Sequence, residues 1–304
     1  MLKTFCIDNE TVQSCPEANA TIYVHVPPDA AETARLVNEC RIDEHTLQSA
    51  QDADELARLE FEPDHVAVIY KRPLHGLPEE KLQFKVGSGG LFLFKDKLIV
   101  ILSEDIPLFD VKTFHHVHNL IEVFLKLIFR STLHFNQRLK VINAVSESLE
   151  HKINTSMENS HLLNLFALEK SLVYFLNAIS LNSTLLERIK MNSAKIGIIG
   201  EDSEHLDDII IENNQCYKLA EIYSNILAGM MDARVSIVSN NLNSLMKTLN
   251  VITIGIMVPT LVVSAFSMNV KIPLQGFPWA FWVIMGLAAA STLGFMVFWK
   301  RRRR

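Results

Sequence analysis

The sequence predicts an α+β cytoplasmic domain followed by a long stalk helix and two C-terminal transmembrane helices. Three observations carry this. Short β-branched runs fill the N-terminal third, proline is absent between Val111 and Pro259, and every acidic residue lies before Leu249. From Leu249 to Trp299 the only charge is Lys271, so the apolar residues that make up 49% of the chain concentrate at its C-terminal end.

Charge and cysteine usage bound the function classes. The first 248 residues hold 23 basic against 34 acidic side chains. Such an anion does not coat nucleic acid, whose binding rests on basic neutralisation of phosphates. Four cysteines without a C-x-x-C pair fit a reducing compartment. The start, MLKTFCIDNE, lacks the apolar core of a secretory signal.

Residues 1–105 read as a small α/β domain. Thr21–Val26 (TIYVHV), His65–Tyr70 (HVAVIY), Leu82–Val86, Leu91–Phe94 and Leu98–Leu102 have strand character, with a turn expected at Gly87–Gly90. Asp29–Cys40 and Glu44–Ala53 read as helices. Residues 106–203 form a helical region, with helices expected at 111–152 and 159–192 and a break at Gly197–Ser203. From Glu204 one helix is expected to run to Phe266, as a stalk (204–248) continuing into a first transmembrane helix (249–267). At 1.5 Å per residue it is roughly 90 Å long, a length that a stalk requires and a globular core does not.

Residues 277–299 hold no charge and match a hydrocarbon core of about 30 Å. Trp279, Trp282 and Trp299 stand at their ends, and the basic tail 300–304 follows as a positive-inside anchor. With only residues 268–276 between the spans, both termini are expected in the cytoplasm and that loop outside.

The first span carries a pattern. Asn243, Met246, Asn250, Thr253, Met257, Thr260 and Ser264 recur at alternating spacings of three and four. The polar groups inside the span share a sector of about 100°, at about 100° per residue. A sustained 3.5-residue period is the signature of helices coiled about a common axis. Ser239, Ser236 and Asp232 extend the stripe towards the cytosol. Polar contacts between packed helices and the lining of a pore both account for such a stripe. An aspartate on the stripe, an acidic domain beside it and no charge inside the span favour the pore. One polar face cannot enclose a channel; identical copies in a ring can. Met246 and Met257 would then form apolar constrictions that gate by excluding water.

Ser267-Met268-Asn269-Val270-Lys271-Ile272-Pro273, between a polar-seamed span and a final span with a basic tail, resembles the CorA family of magnesium transporters, marked there by Gly-Met-Asn. Ile42-Asp43-Glu44-His45-Thr46-Leu47 with Asp52-Ala53-Asp54-Glu55 resembles the family's N-terminal domain, and Met257, Pro259 and Thr260 precede the motif at familiar distances. The resemblance covers essentially the whole chain.

It implies a funnel-shaped homopentamer in a lipid bilayer, in the bacterial inner membrane, with divalent cations as cargo and no nucleic-acid partner. Ser267, Met268 and Asn269 would form the selectivity entrance, with Asn269 as its ring. Thr260, Met257, Leu249 or Asn250, Met246 and Asn243 would line the path, and Asp232 would stand at the cytoplasmic mouth. Asp207 and Asp208 are the implied regulatory metal ligands. No resident cofactor is implied; Mg2+ is substrate and regulatory ligand. Mg2+ sheds water reluctantly, so neutral amide oxygens hold the hydrated ion without trapping it. Ser267 replaces the family's glycine and the external loop has no acid, so transport of Zn2+, Co2+ or Ni2+ by a relative with altered selectivity, or a transport-inactive scaffold or sensor, are the alternatives.

His115, His116 and His118 cluster without a cysteine or an H-E-x-x-H register, and read as a helix surface rather than a metal site. An enzyme tethered by a membrane hairpin lacks any nucleophile, metal or phosphate motif, G-x-x-x-x-G-K-[ST] included.

Overall fold

The computed structural model describes residues 1–75, 82–110, 113–114, 116–155, 159–270 and 276–302. They fall into two units, Met1–Met230 and Met231–Arg304.

In the first unit, β1 (Leu2–Asp8), β2 (Thr11–Ser14), β3 (Ile22–His25), β4 (Arg58–Phe61), β5 (His65–Pro73), β6 (Val86–Phe94) and β7 (Leu98–Leu102) form one sheet. Its order is β2-β1-β3-β7-β6-β5-β4. β3 and β7 run parallel, and the other neighbours are antiparallel. Between β3 and β4 the chain forms α1 (Ala30–Asn38), opened by an Asp29–Glu32 capping box, and α2 (Glu44–Ser49), capped by Asp43.

Side chains alternate across the strands with a period of two. Ala67, Ile69, Phe92, Ile99 and Ile101 pack with Leu36 of α1 and Leu47 of α2. Val68, Tyr70, Leu91, Val100 and Leu102 join the opposite core with Phe124 and Leu127 of α3 (Leu120–Thr155) and Leu185 of α4 (Asn159–Met191). With both faces covered, the central strands read as unbroken apolar runs.

Three expectations change. Gly87–Gly90 is not a turn: these residues lie inside β6, paired with Arg72, Lys71, Tyr70 and Ile69 of β5. Close approach explains the glycines, since a Cβ on Gly87 would fall 2.6 Å from Leu74 Cδ2 and one on Gly90 2.7 Å from Ala50 Cβ. Of Leu82–Val86, only Val86 belongs to a strand. The first long helix starts at Leu120 rather than 111, where the Asn119 side chain accepts from the Glu122 N–H at 2.7 Å.

A short α5 (Ser193–Ile196) ends at Gly197, whose φ of 94° is left-handed. Then α6 (Glu201–Phe266) begins, 66 residues long and opened by Glu201, Asp202 and Glu204, whose charges suit a helix N-terminus. The last helix, α7 (Ala280–Arg302), ends in Lys300, Arg301 and Arg302. Both α6 and α7 are long and apolar enough to cross a membrane, in keeping with two spans.

Candidate permeation face

In the second unit, α6 turns one side to α7. Val251, Gly255, Val258, Pro259 and Val262 are half-buried there. A Cβ on Gly255 would lie 3.7 Å from Phe295 Cε1. The stripe of Asn250, Thr253, Met257, Thr260 and Ser264 is centred roughly 160° round the helix from that side. All five are exposed in the single chain, as are Asn243, Met246, Leu249 and Asp232. Packing of α6 on α7 therefore does not account for the polar stripe.

The hydroxyls on this face are set to accept. Thr253 Oγ1 donates to Leu249 O at 2.9 Å and Thr260 Oγ1 to Ile256 O at 2.6 Å. Each proton is thus committed to the backbone, and the oxygen lone pairs are left for a cation or its water. Pro259 lacks an N–H, so no bond from it reaches the Gly255 carbonyl one turn earlier. Met246 and Met257 are 60% and 62% exposed, leaving their flexible thioethers unpacked by this chain.

At the end of α6 the Ser267 N–H and Oγ both donate to Ser264 O, at 3.1 and 3.2 Å. Ser267, Met268 and Asn269 are exposed. Lys271, Ile272 and Pro273 lie outside the described residues. Further down α6, Ser236 Oγ donates to Asp232 O at 3.1 Å.

Asp207 and Asp208 stand on the first turns of α6 but face differently. Asp207 forms an ion pair of 2.6 Å with Lys190 of α4. Asp208 is exposed. Sequence reasoning missed Lys190, which sits on another helix with no local signal linking it to the acidic run. Nearby, burial raises the Asp202 carboxyl above its ordinary range, opposed by a hydrogen bond from Asn119.

The histidine cluster is held by an acid of β1–β2: His116 Nδ1 lies 2.9 Å and His118 Nδ1 3.9 Å from the Glu10 carboxylate. His116, then His118, hold the Glu10 carboxyl below its usual range. His115 lies outside the described residues. Among the described residues no three His, Cys, Asp or Glu side chains of one chain gather to hold a metal ion.

Comparison with known proteins bears on the family and the fold. The family described as "CorA-like Mg2+ transporter protein" matches residues 18–302. The cobalt/magnesium transport protein CorA of Methanocaldococcus jannaschii is 25% identical over 289 residues, covering 90% of this chain and 88% of its own. The complete structure of the CorA magnesium transporter from that organism superposes with a TM-score of 0.81 at 22% identity, over 99% of this chain and 96% of the other. The full-length CmaX protein gives 0.73 at 13% identity, over 100% and 97%. The cytoplasmic domain of ZntB from Vibrio parahaemolyticus gives 0.60 at 9% identity, over 78% and 98%.

Proposed function

The chain belongs to the CorA-like Mg2+ transporter family and is thereby a CorA-like divalent-cation transporter; we propose that several copies, five in the family's arrangement, place the polar faces of α6 around one axis and pass Mg2+ into the cytosol. The observation that supports this most is the direction of the stripe, turned away from α7 and exposed among the described residues. In the ring, Asn269 forms the entrance, Thr260, Met257, Thr253, Asn250 or Leu249, Met246 and Asn243 line the path, and Asp232 stands at the inner mouth.

Neutral oxygens suit the cargo. A hydrated Mg2+ held through its water by Asn and Thr oxygens is not stripped, so it can leave again. Entrance of a divalent ion gains about 4.6 kcal/mol per 100 mV of potential, at about 2.3 per charge, so the chain serves as a conduit and not as an enzyme. The basic end of α7 favours cytoplasmic termini by the positive-inside rule. Asp207 and Asp208 are proposed as regulatory ligands for internal Mg2+.

Reconstitution in liposomes containing a Mg2+-sensitive dye tests the reading. Inside-negative potential should drive Mg2+ uptake; folded, assembled protein that admits no divalent cation overturns it. Co2+ is the second cargo, in keeping with the relative named for cobalt and magnesium, and Zn2+ and Ni2+ belong in the same assay because Ser267 departs from the family's glycine.

A further inference from the structure

Within Met1–Met230, a cavity of about 350 Å3 is walled by residues of β5, β6 and α4. Three lysines line it, Lys71, Lys85 and Lys170, against one acid, Asp54. None of the three pairs with a carboxylate within 4.0 Å among the described residues. Lys71 is the telling one. It is 3% exposed, and its ammonium donates to Ala53 O at 2.8 Å and Ser88 Oγ at 3.0 Å, leaving a third N–H. Burial pulls the Lys71 ammonium below its ordinary range, and Asp52, Asp54 and Glu55 oppose this only from beyond ion-pair distance.

Lys71 is held in place by design of its surroundings. The Asn182 side chain of α4 accepts from the Lys71 N–H and donates to the Lys71 carbonyl, both at 2.8 Å. The opposite wall is fixed as well, since the Phe84 N–H donates to Ser171 Oγ of α4 at 2.9 Å. A buried ammonium without a counter-ion is costly, and three cations lining one cavity create a potential that an anion relieves. The rest of the lining mixes aliphatic side chains, among them Leu56, Val86, Ala178 and Leu181, with an exposed aromatic ring. Tyr174 is 50% exposed and lines the cavity, with Lys170 Nζ 5.7 Å from its ring. The volume lies in the range of small-molecule sites.

We propose that this cavity binds a nucleoside phosphate, its phosphates held by Lys71, Lys85 and Lys170 and its base stacked on Tyr174. The lysines call for the anion and the tyrosine face for a flat ring. The site is independent of the transport reading, because binding is measured without flux.

The test uses the full-length protein in detergent micelles with EDTA present, titrated calorimetrically with ATP and with tripolyphosphate. ATP should bind, and more tightly than tripolyphosphate. Lys85→Gln with Lys170→Gln should weaken both ligands by about tenfold or more. These exposed-rim positions are chosen because a change at buried Lys71 risks the fold. Tyr174→Ala should weaken ATP and leave tripolyphosphate unchanged. Absence of ATP binding by folded protein, or binding unaltered in the double lysine variant, overturns the site. Tripolyphosphate binding as tight as that of ATP overturns the assignment of a nucleoside.

Discussion

Gly255 of α6 sits against Phe295 of α7, near enough that a Cβ would touch the ring edge at 3.7 Å. This contact fixes which side of α6 is packed, and so which side is free. The free side carries Asn250, Thr253, Met257 and Thr260. Cysteines placed singly at Thr253 or Met257, in a background where Cys6, Cys15, Cys40 and Cys216 are replaced by alanine, should react with a water-soluble thiol reagent and lose cation flux. Cysteines at Val258 or Val262, on the packed side, should react slowly and keep flux. Equal reactivity on both sides would refute a water-filled axis.

Gly90 lies in β6 between Ile69 of β5 and Ile101 of β7. Its missing side chain makes room for Ala50 at 2.7 Å and Phe92 at 3.0 Å. Gly90→Val should cost about 1–3 kcal/mol by overpacking, read as a lower midpoint of thermal unfolding of the full-length protein. Ala50→Gly in the same chain should recover part of the loss, because it removes the obstructing methyl group.

That glycine shows where sequence reading reached its limit. Leu98–Leu102 is legible as a strand because five apolar residues in a row need both faces covered, and the sheet covers them. The stripe on α6 is legible because helical periodicity is local. Gly87–Gly90 reads as a turn from composition alone, whereas its real cause is Leu74, Tyr70 and Ala50 pressing on the strand, contacts set only in the fold. For the same reason the Lys190 partner of Asp207 and the three lysines of the β5–α4 cavity were invisible: each set is brought together by packing rather than by spacing. Strands β1 and β2 mix polar with apolar residues without a clear period, and β4, though it alternates as Arg58-Leu59-Glu60-Phe61, is only four residues long.

His134 of α3 packs edge-on against His75, ring centroids 5.3 Å apart. Burial first, then Arg130, His75, Arg72 and Arg138, pull its imidazole from the ordinary 6.5 to about 4. The unfolded chain therefore binds a proton that the fold refuses between those values, and stability falls as pH drops through that window. His25, His65, His75 and His205, also lowered by burial, act in the same direction. Thermal midpoints of His134→Gln should decline less than those of the native chain as pH is lowered from about 7 to about 5.

Lys190 holds Asp207 at 2.6 Å while Asp208 is exposed. If these acids take internal Mg2+, Asp208 is the carboxylate at liberty and Lys190 competes with the ion for Asp207. Asp208→Ala should raise the internal Mg2+ needed to stop uptake. Lys190→Ala should lower it, since removing the ammonium frees a second ligand. Flux into liposomes preloaded with graded Mg2+ distinguishes these, and unchanged closure in both variants would remove the acids from regulation.

Ser267 and Asn269 separate backbone from side-chain roles at the entrance. The left-handed φ values that favour glycine occur among non-glycine residues at Asn9, Glu10, Arg41, Leu82 and His116, and Ser267 is not among them. With its N–H and hydroxyl both bonded to Ser264 O, Ser267 continues the end of α6 without backbone strain. Ser267→Gly should therefore change Mg2+ flux little, because no strain is there to relieve. Asn269→Ala should reduce flux sharply while assembly persists, since it deletes the amide oxygen proposed to meet the hydrated ion. A large gain from Ser267→Gly would show that the serine restrains the loop, and native flux in Asn269→Ala would place the ion's first contact elsewhere.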